Sequence, residues 1–280
     1  MSMRFPPIPQ FVEPYPDESC YSILCRCMVR AGMSAARFQR TMFEKQRWLS
    51  CYLWQPFHAE DLKRWFDDAI ERMPFYVRYH SCIPYRFPFL HLTHQEDFED
   101  WANGEELSKG MRQNLTMRLG YRKWTKRYLC YCPECAKVDR NKYGETYWHM
   151  IPQLPGVFVC PIHAVPLEET SLMMQNWIDL HPAEYWIPDE EPRKETISYD
   201  DLRLATDSKW MMEHGLEIAL KQKDLLGGLS QWQFELAEAK AKRFSSRENI
   251  KNETVYYILM ANMKNKSVSE FMTPRKIMDN

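Results

Sequence analysis

Two short knuckles carry the densest chemistry in this chain: Cys132-Pro133-Glu134-Cys135 and, after 24 intervening residues, Cys160-Pro161-Ile162-His163. Each sets two ligands three positions apart, within reach of one ion, and the intervening loop can bring the two pairs together. Three thiolates and one imidazole fill a tetrahedral zinc site. With all four positions taken by protein, no water is left to activate. The spacing therefore predicts one structural Zn2+, held by Cys132, Cys135, Cys160 and His163, and argues against zinc hydrolysis. Buried free cysteines meeting by chance are the plain alternative, and two matched knuckles weigh against it. Cys130 reads as strand packing, and His149 as a hydrogen-bonded core residue or one behind the ligands.

A second feature lies just upstream. From Leu107 to Pro133 there is no Asp or Glu, while Lys109, Arg112, Arg118, Arg122, Lys123, Lys126 and Arg127 alternate with aromatics that include Trp124. Such a run can neutralise phosphates and stack on a sugar–phosphate surface, although most charge runs are simply solvated helix faces. These residues, with Arg37 and Arg40 further upstream, form the candidate DNA-contacting set. The chain's net charge of -1 does not exclude this, because it is a cancellation. Residues 1–130 hold 19 basic and 15 acidic residues, 131–200 hold 5 and 12, and 201–280 hold 13 and 11. Partner arguments must therefore be local.

The remaining cysteines, Cys20, Cys25, Cys27, Cys51 and Cys82, bring the total to nine. An odd count fits a disulfide framework poorly. Cys20 and Cys27 share an apolar helix face while Cys25 points elsewhere, so packing is favoured over a second metal site. No signal peptide or membrane span is expected, because the first nine residues are broken by Pro6, Pro7 and Pro9 and no apolar run approaches the required length. The expectation is a cytoplasmic protein with no membrane partner.

The elements that must position these groups are mainly helical. Pro16-Asp17-Glu18 reads as a helix start and Gly32 as its stop, with Arg26 and Arg30 on the polar flank. Ser34 caps a second helix with Phe38 and Met42 inward and Arg37, Arg40, Lys45 and Arg47 outward. The pair has the form of a helix-turn-helix unit. One further helix is expected over Ala59–Met73, ended by Pro74, with Leu62, Trp65, Phe66, Ala69 and Ile70 inward. An extended connector should follow over Ser81–Leu90, then a capping box at Thr93–Glu96. The Cys-rich stretch reads as β-like around Val157–Val159. An acidic, Pro-punctuated linker over His181–Asp201 and helices near 199–226, 229–244 and 250–265 complete the chain. The expected division is a helical region over 1–127, a small zinc ribbon over 128–170, a linker over 171–198 and a C-terminal helical region over 199–280.

Catalytic signatures are missing. Neither G-x-x-x-x-G-K-[ST] nor G-x-S-x-G occurs. The pairs Asp67-Asp68 and Glu105-Glu106 read as exposed helix surface rather than a two-metal site.

Several blocks together resemble the TniQ/TnsD family of transposon target-selection proteins. They are Tyr128–Cys135, Tyr143–Trp148, Gln153–Val157 and Cys160–Leu167, with Pro16–Ser22 and Arg30–Ser34 nearer the start. The resemblance implies a non-enzymatic adaptor with an N-terminal helix-turn-helix and zinc-ribbon modules. It implies recruitment of the AAA+ ATPase TnsC to target DNA, direct reading of an attachment site or docking on a Cascade-type CRISPR effector with its guide RNA, and in some members a homodimer. This chain departs from the pattern at Pro152, where relatives often have His, and at Ala164, where Gly is frequent. Cysteine is absent after position 160, which removes a second downstream ribbon, and the chain is shorter than the long attachment-site readers. Both tilt the expectation toward the RNA-guided adaptor. Direct attachment-site binding, a zinc-stabilised nuclease or hydrolase, and an ordinary helix-turn-helix transcription regulator are the alternatives.

Overall fold

The computed structural model describes residues 11–44, 49–87, 126–173 and 179–226. Its order is helices α1 (Cys20–Arg30), α2 (Ala35–Met42), α3 (Ala59–Trp65), α4 (Ala69–Tyr79) and α5 (Ile83–Arg86), strand β1 (Tyr128–Tyr131), helix α6 (Pro133–Tyr143), strand β2 (Glu168–Met173) and helix α7 (Tyr199–Leu226). The protein is mainly α, with one two-stranded antiparallel sheet among the described residues. None of the described helices is long and apolar enough to cross a membrane.

Helix α1 begins two residues later than the sequence suggests. Its cap is Ser19, whose Oγ accepts from Ser22 N, while Asp17 takes a left-handed φ of 57° and its carbonyl accepts from Met150 N of the cysteine-rich segment. The end is as expected. Gly32 (φ 60°) donates to Val29 O and Met33 to Met28 O, the paired bonds of a Schellman stop. Ser34 then caps α2 by accepting from Arg37 N. All three cysteines of α1 are buried, including Cys25, because contacts from 179–181 cover the face that the helix pattern leaves open.

The single helix expected over Ala59–Met73 is in fact two. Phe66 turns extended (φ -137°, ψ 142°), with Trp65 Nε1 donating to Met42 O and the Phe66 ring against Phe11 at 4.9 Å. The helical register restarts at Asp68, which leaves Ile70 51 % exposed rather than inward. Pro74 lies inside α4 and does not end it. The bond it forfeits is to the carbonyl of Ile70, on the exposed side. The stretch expected to be an extended connector holds α5, with Pro84 in its first turn.

Helix α7 packs on α5 by close backbone approach: a Cβ added at Gly215 would lie 1.7 Å from Pro84 O. Tyr85 and Ser208 hydroxyls meet at 3.5 Å beside it. One apolar cluster runs from α1 through the aromatic set of α3–α4, the cysteine-rich segment and α7, with Trp148 fully buried within it. The acidic stretch read as a linker is docked. Leu180, Ala183 and Ile187 are buried, and its carboxylates pair with α6. The expected capping box at Thr93–Glu96, Lys45 and Arg47, and the helices near 229–244 and 250–265 lie outside the described residues.

Candidate metal centre

The first knuckle joins the end of β1 to α6. Cys132 caps α6, its Sγ accepting from Cys135 N at 3.4 Å, and Pro133 occupies the first turn, where its missing N–H costs no helical bond. Gly144 (φ 79°) closes the helix by donating to Arg140 O. The second knuckle is a tight reversal. Cys160 N donates to Val165 O, Ala164 N to Cys160 O, and Val159 bridges Pro166. Ala164 sits at φ 50°, left-handed backbone, which explains why a glycine suits this position.

The result is one cluster. The ligand atoms of Cys132, Cys135, Cys160 and His163 all lie within 4.8 Å of one another. His163 Nδ1 is 3.6 Å from Cys132 Sγ, 3.3 Å from Cys135 Sγ and 3.6 Å from Cys160 Sγ, and the Cys135 and Cys160 sulfurs are 3.7 Å apart. Bond lengths of about 2.3 Å to sulfur and 2.0–2.1 Å to nitrogen give a tetrahedron with edges of about 3.8 Å (S–S) and 3.5 Å (S–N). The three S–N distances and the Cys135–Cys160 S–S distance fit. In the thiol set alone, S–H groups of Cys132 and Cys135 hold Cys160 low, while Cys132 and Cys160 push Cys135 far up. Three close thiols cannot all ionise without a cation, and a divalent ion at the centre removes that conflict. The four residues can hold one metal ion.

Cys130 is buried in β1, and its backbone is clasped by Gln153. Gln153 Oε1 accepts from Cys130 N at 3.0 Å, and its Nε2 donates to Cys130 O at 2.6 Å. His149 is not behind a ligand. Its Nε2 meets Asp139 Oδ2 at 2.9 Å and its Nδ1 faces Asp17 at 3.5 Å. Burial alone would lower its pKa, but the hydrogen bonds to Asp139 and Asp17 raise it to about 9.

The metal-binding segment rests on the start of α1. Ser19 N donates to Trp148 O, Trp148 N to Ser22 Oγ at 3.0 Å, and Met150 N to Asp17 O. Arg26, placed by periodicity on the polar flank, is buried here. Its guanidinium bonds Glu18 at 2.8 Å and Glu145 at 3.1 Å and lies 3.5 Å over the Tyr15 ring. Arg30 adds a 2.9 Å pair to Glu145. Burial pushes the Glu18 carboxyl up to about 7 against the pull of Arg26. Glu145, Trp148 and Gln153 were not singled out as individual residues in the sequence. Their signal was membership of the Tyr143–Trp148 and Gln153–Val157 blocks, whose contacts with Pro16–Ser22 and β1 now have a physical reason.

The candidate DNA contacts divide three ways. Arg37 and Arg40 are exposed on α2, and Arg127 is exposed at the start of β1, 5.5 Å from the Tyr128 ring. Lys126 turns inward. Its ammonium donates to Pro152 O at 2.8 Å and to Val157 O, and burial lowers its pKa. Lys109, Arg112, Arg118, Arg122, Lys123 and Trp124 lie outside the described residues.

A mainly helical protein whose small ribbon carries a Cys3His cluster able to hold one metal ion, docked on an N-terminal helix pair, is the class that fold and site define. The family model TniQ matches residues 9–167, more than half of the chain, and the chain belongs to that family. It is also similar to the transposon Tn7 transposition protein TnsD of Escherichia coli, 23% identical over 184 residues, which cover 63% of this chain and 34% of that protein. The matched part thus spans about a third of the relative's length.

Proposed function

We propose that this chain is a non-enzymatic adaptor of DNA transposition that selects the target site and recruits the AAA+ regulator TnsC to it. The observation that carries this reading is that the family match over 9–167 contains the helix pair, the contact through Arg26 and all four metal ligands. The ion is zinc, the metal suited to three thiolates and an imidazole in a tetrahedron. Four protein ligands leave no open position for substrate or water, so the ion shapes the ribbon and its role is structural.

In this reading α1 and α2 form a helix-turn-helix whose Arg37 and Arg40, with Arg127, meet the phosphate backbone of target DNA. Lys126 is left out, because its ammonium is spent on carbonyls. The form of adaptor proposed is one docked on a Cascade-type effector whose guide RNA chooses the site. The test is retention of TnsC by the purified protein on DNA with ATP, with and without a Cascade-type complex. No retention in either arm overturns the adaptor. Retention on attachment-site DNA without the effector replaces the RNA-guided mode with direct reading.

A further inference from the structure

The docked acidic stretch carries an exposed feature that metal binding does not use. Ala183 and Ile187 are 3% and 4% exposed and anchor it, and Arg140 clamps it from α6 through both Glu184 oxygens and through Ile187 O at 2.6 Å. Glu184 also accepts from Thr146 N at 2.8 Å. On this pinned backbone Tyr185 and Trp186 remain 69% and 38% exposed. Beside them Asp189, Glu190 and Glu191 are exposed as well, and residues 184–191 hold four carboxylates and no Lys or Arg. Arg140 offsets Glu184 and Lys137 offsets Glu191, so the uncompensated charge of the patch rests on Asp189 and on Glu190, which accepts from the Tyr131 hydroxyl.

We propose that this surface docks a Lys/Arg-rich segment of a partner protein, with aromatic faces receiving the cations and the carboxylates accepting their N–H groups. Two adjacent aromatics on a fixed backbone are preorganised, so little ordering is lost on binding. A nucleic acid would meet like charge here. A second copy related by a two-fold axis would set the acidic face against itself. The inference goes beyond the adaptor reading and does not depend on it.

The probe is a fluorescein-labelled octapeptide of alternating Arg and Ser, titrated against the full chain by anisotropy, with Lys-for-Arg and Glu-for-Arg peptides alongside. The Arg peptide should bind tightest, since guanidinium stacks on aromatic rings and pairs bidentately with carboxylates. Tyr185→Ala and Trp186→Ala should each weaken it about 3- to 10-fold. Asp189→Asn with Glu190→Gln should flatten its salt dependence. Circular dichroism and metal content confirm that each variant folds. Absent binding, or affinity unchanged by both aromatic substitutions, overturns the proposal. So does loss of a labelled DNA duplex in Tyr185→Ala, or a sedimenting dimer that this substitution turns into a monomer.

Discussion

The metal ribbon and the helical region of α1–α5 are stabilised in different ways. Around the ribbon, four side chains at fixed spacing define a point, and almost any loop that returns Cys160 to Cys132 will satisfy it. In the helical region no spacing defines anything. Phe57 is fully buried against Tyr76 (4.8 Å), Trp65 (5.1 Å), Tyr52 (5.4 Å) and Phe11 (6.0 Å), rings drawn from four separate segments. Coordination of one ion by the four side chains would make one region depend on few atoms, while volume filling spreads the other over many.

The strongest break in that comparison is Cys132→Ser. Structural zinc supplies about 10–16 kcal/mol in small zinc domains, comparable to the whole stability of a typical protein at about 5–15 kcal/mol. Hydrogen exchange should show β1, β2 and α6 losing protection, while α3 and α4 keep most of theirs. Chelation should do the same to the unmodified protein. A ribbon that stays protected without metal would mean that packing on α1 suffices.

The reciprocal test is Phe57→Ala, with an expected loss of about 3–5 kcal/mol in denaturant unfolding. Bound metal per chain, measured below the transition, should not change. A fall in metal content would show that the two regions fold as one unit.

The same division decides what was legible in the sequence. The convergence of Cys132, Cys135, Cys160 and His163 was, because the spacing of the knuckles sets it, and so were the Gly32 stop and the Ser34 cap, which are local chemistry. The break at Phe66 was not. It exists because Trp65 reaches Met42 O and Phe66 lies on Phe11, contacts that no window of neighbouring residues contains. Arg26 misled for a related reason. Helical period put it with Arg30 on the polar flank, but its partners Glu18 and Glu145 form a buried polar site that a hydrophobicity pattern cannot express. The acidic stretch read as a linker because its anchors, Ala183 and Ile187, are single residues between prolines, and its clamp Arg140 lies more than 40 positions away. Six of the ten candidate DNA contacts lie outside the described residues, so exposure distinguishes only the other four.

The seam between the regions should respond to pH oppositely to the metal site. His149 is raised to about 9 in the folded state by Asp139 and Asp17, against about 6.5 when unfolded. A raised folded value contributes stability that is full below about pH 6.5 and is lost as pH climbs toward 9. The loss should not exceed about 3 kcal/mol. Metal affinity instead rises over that window, because thiolates are the ligands. Unfolding of the metal-loaded protein and of metal-loaded His149→Gln at pH 6.5, 7.5 and 9 should show the stability difference between them shrinking as pH rises, since the metal's contribution is common to both. A difference that stays constant over that window would assign the pH dependence elsewhere.

Gly215→Ala is the finest probe of shape against propensity. In isolation the change favours a helix by about 1 kcal/mol. Here the added Cβ would stand 1.7 Å from Pro84 O and 2.7 Å from the carbonyl carbon, both backbone atoms that cannot rotate away. Either α7 or α5 must shift, and overpacking of this kind costs about 1–3 kcal/mol. The net expectation is a destabilisation with metal content and ribbon protection unchanged, and with weakened protection in α5 and α7. A stabilised variant would mean that α7 moves off α5 without penalty, and that close packing does not extend beyond the aromatic core.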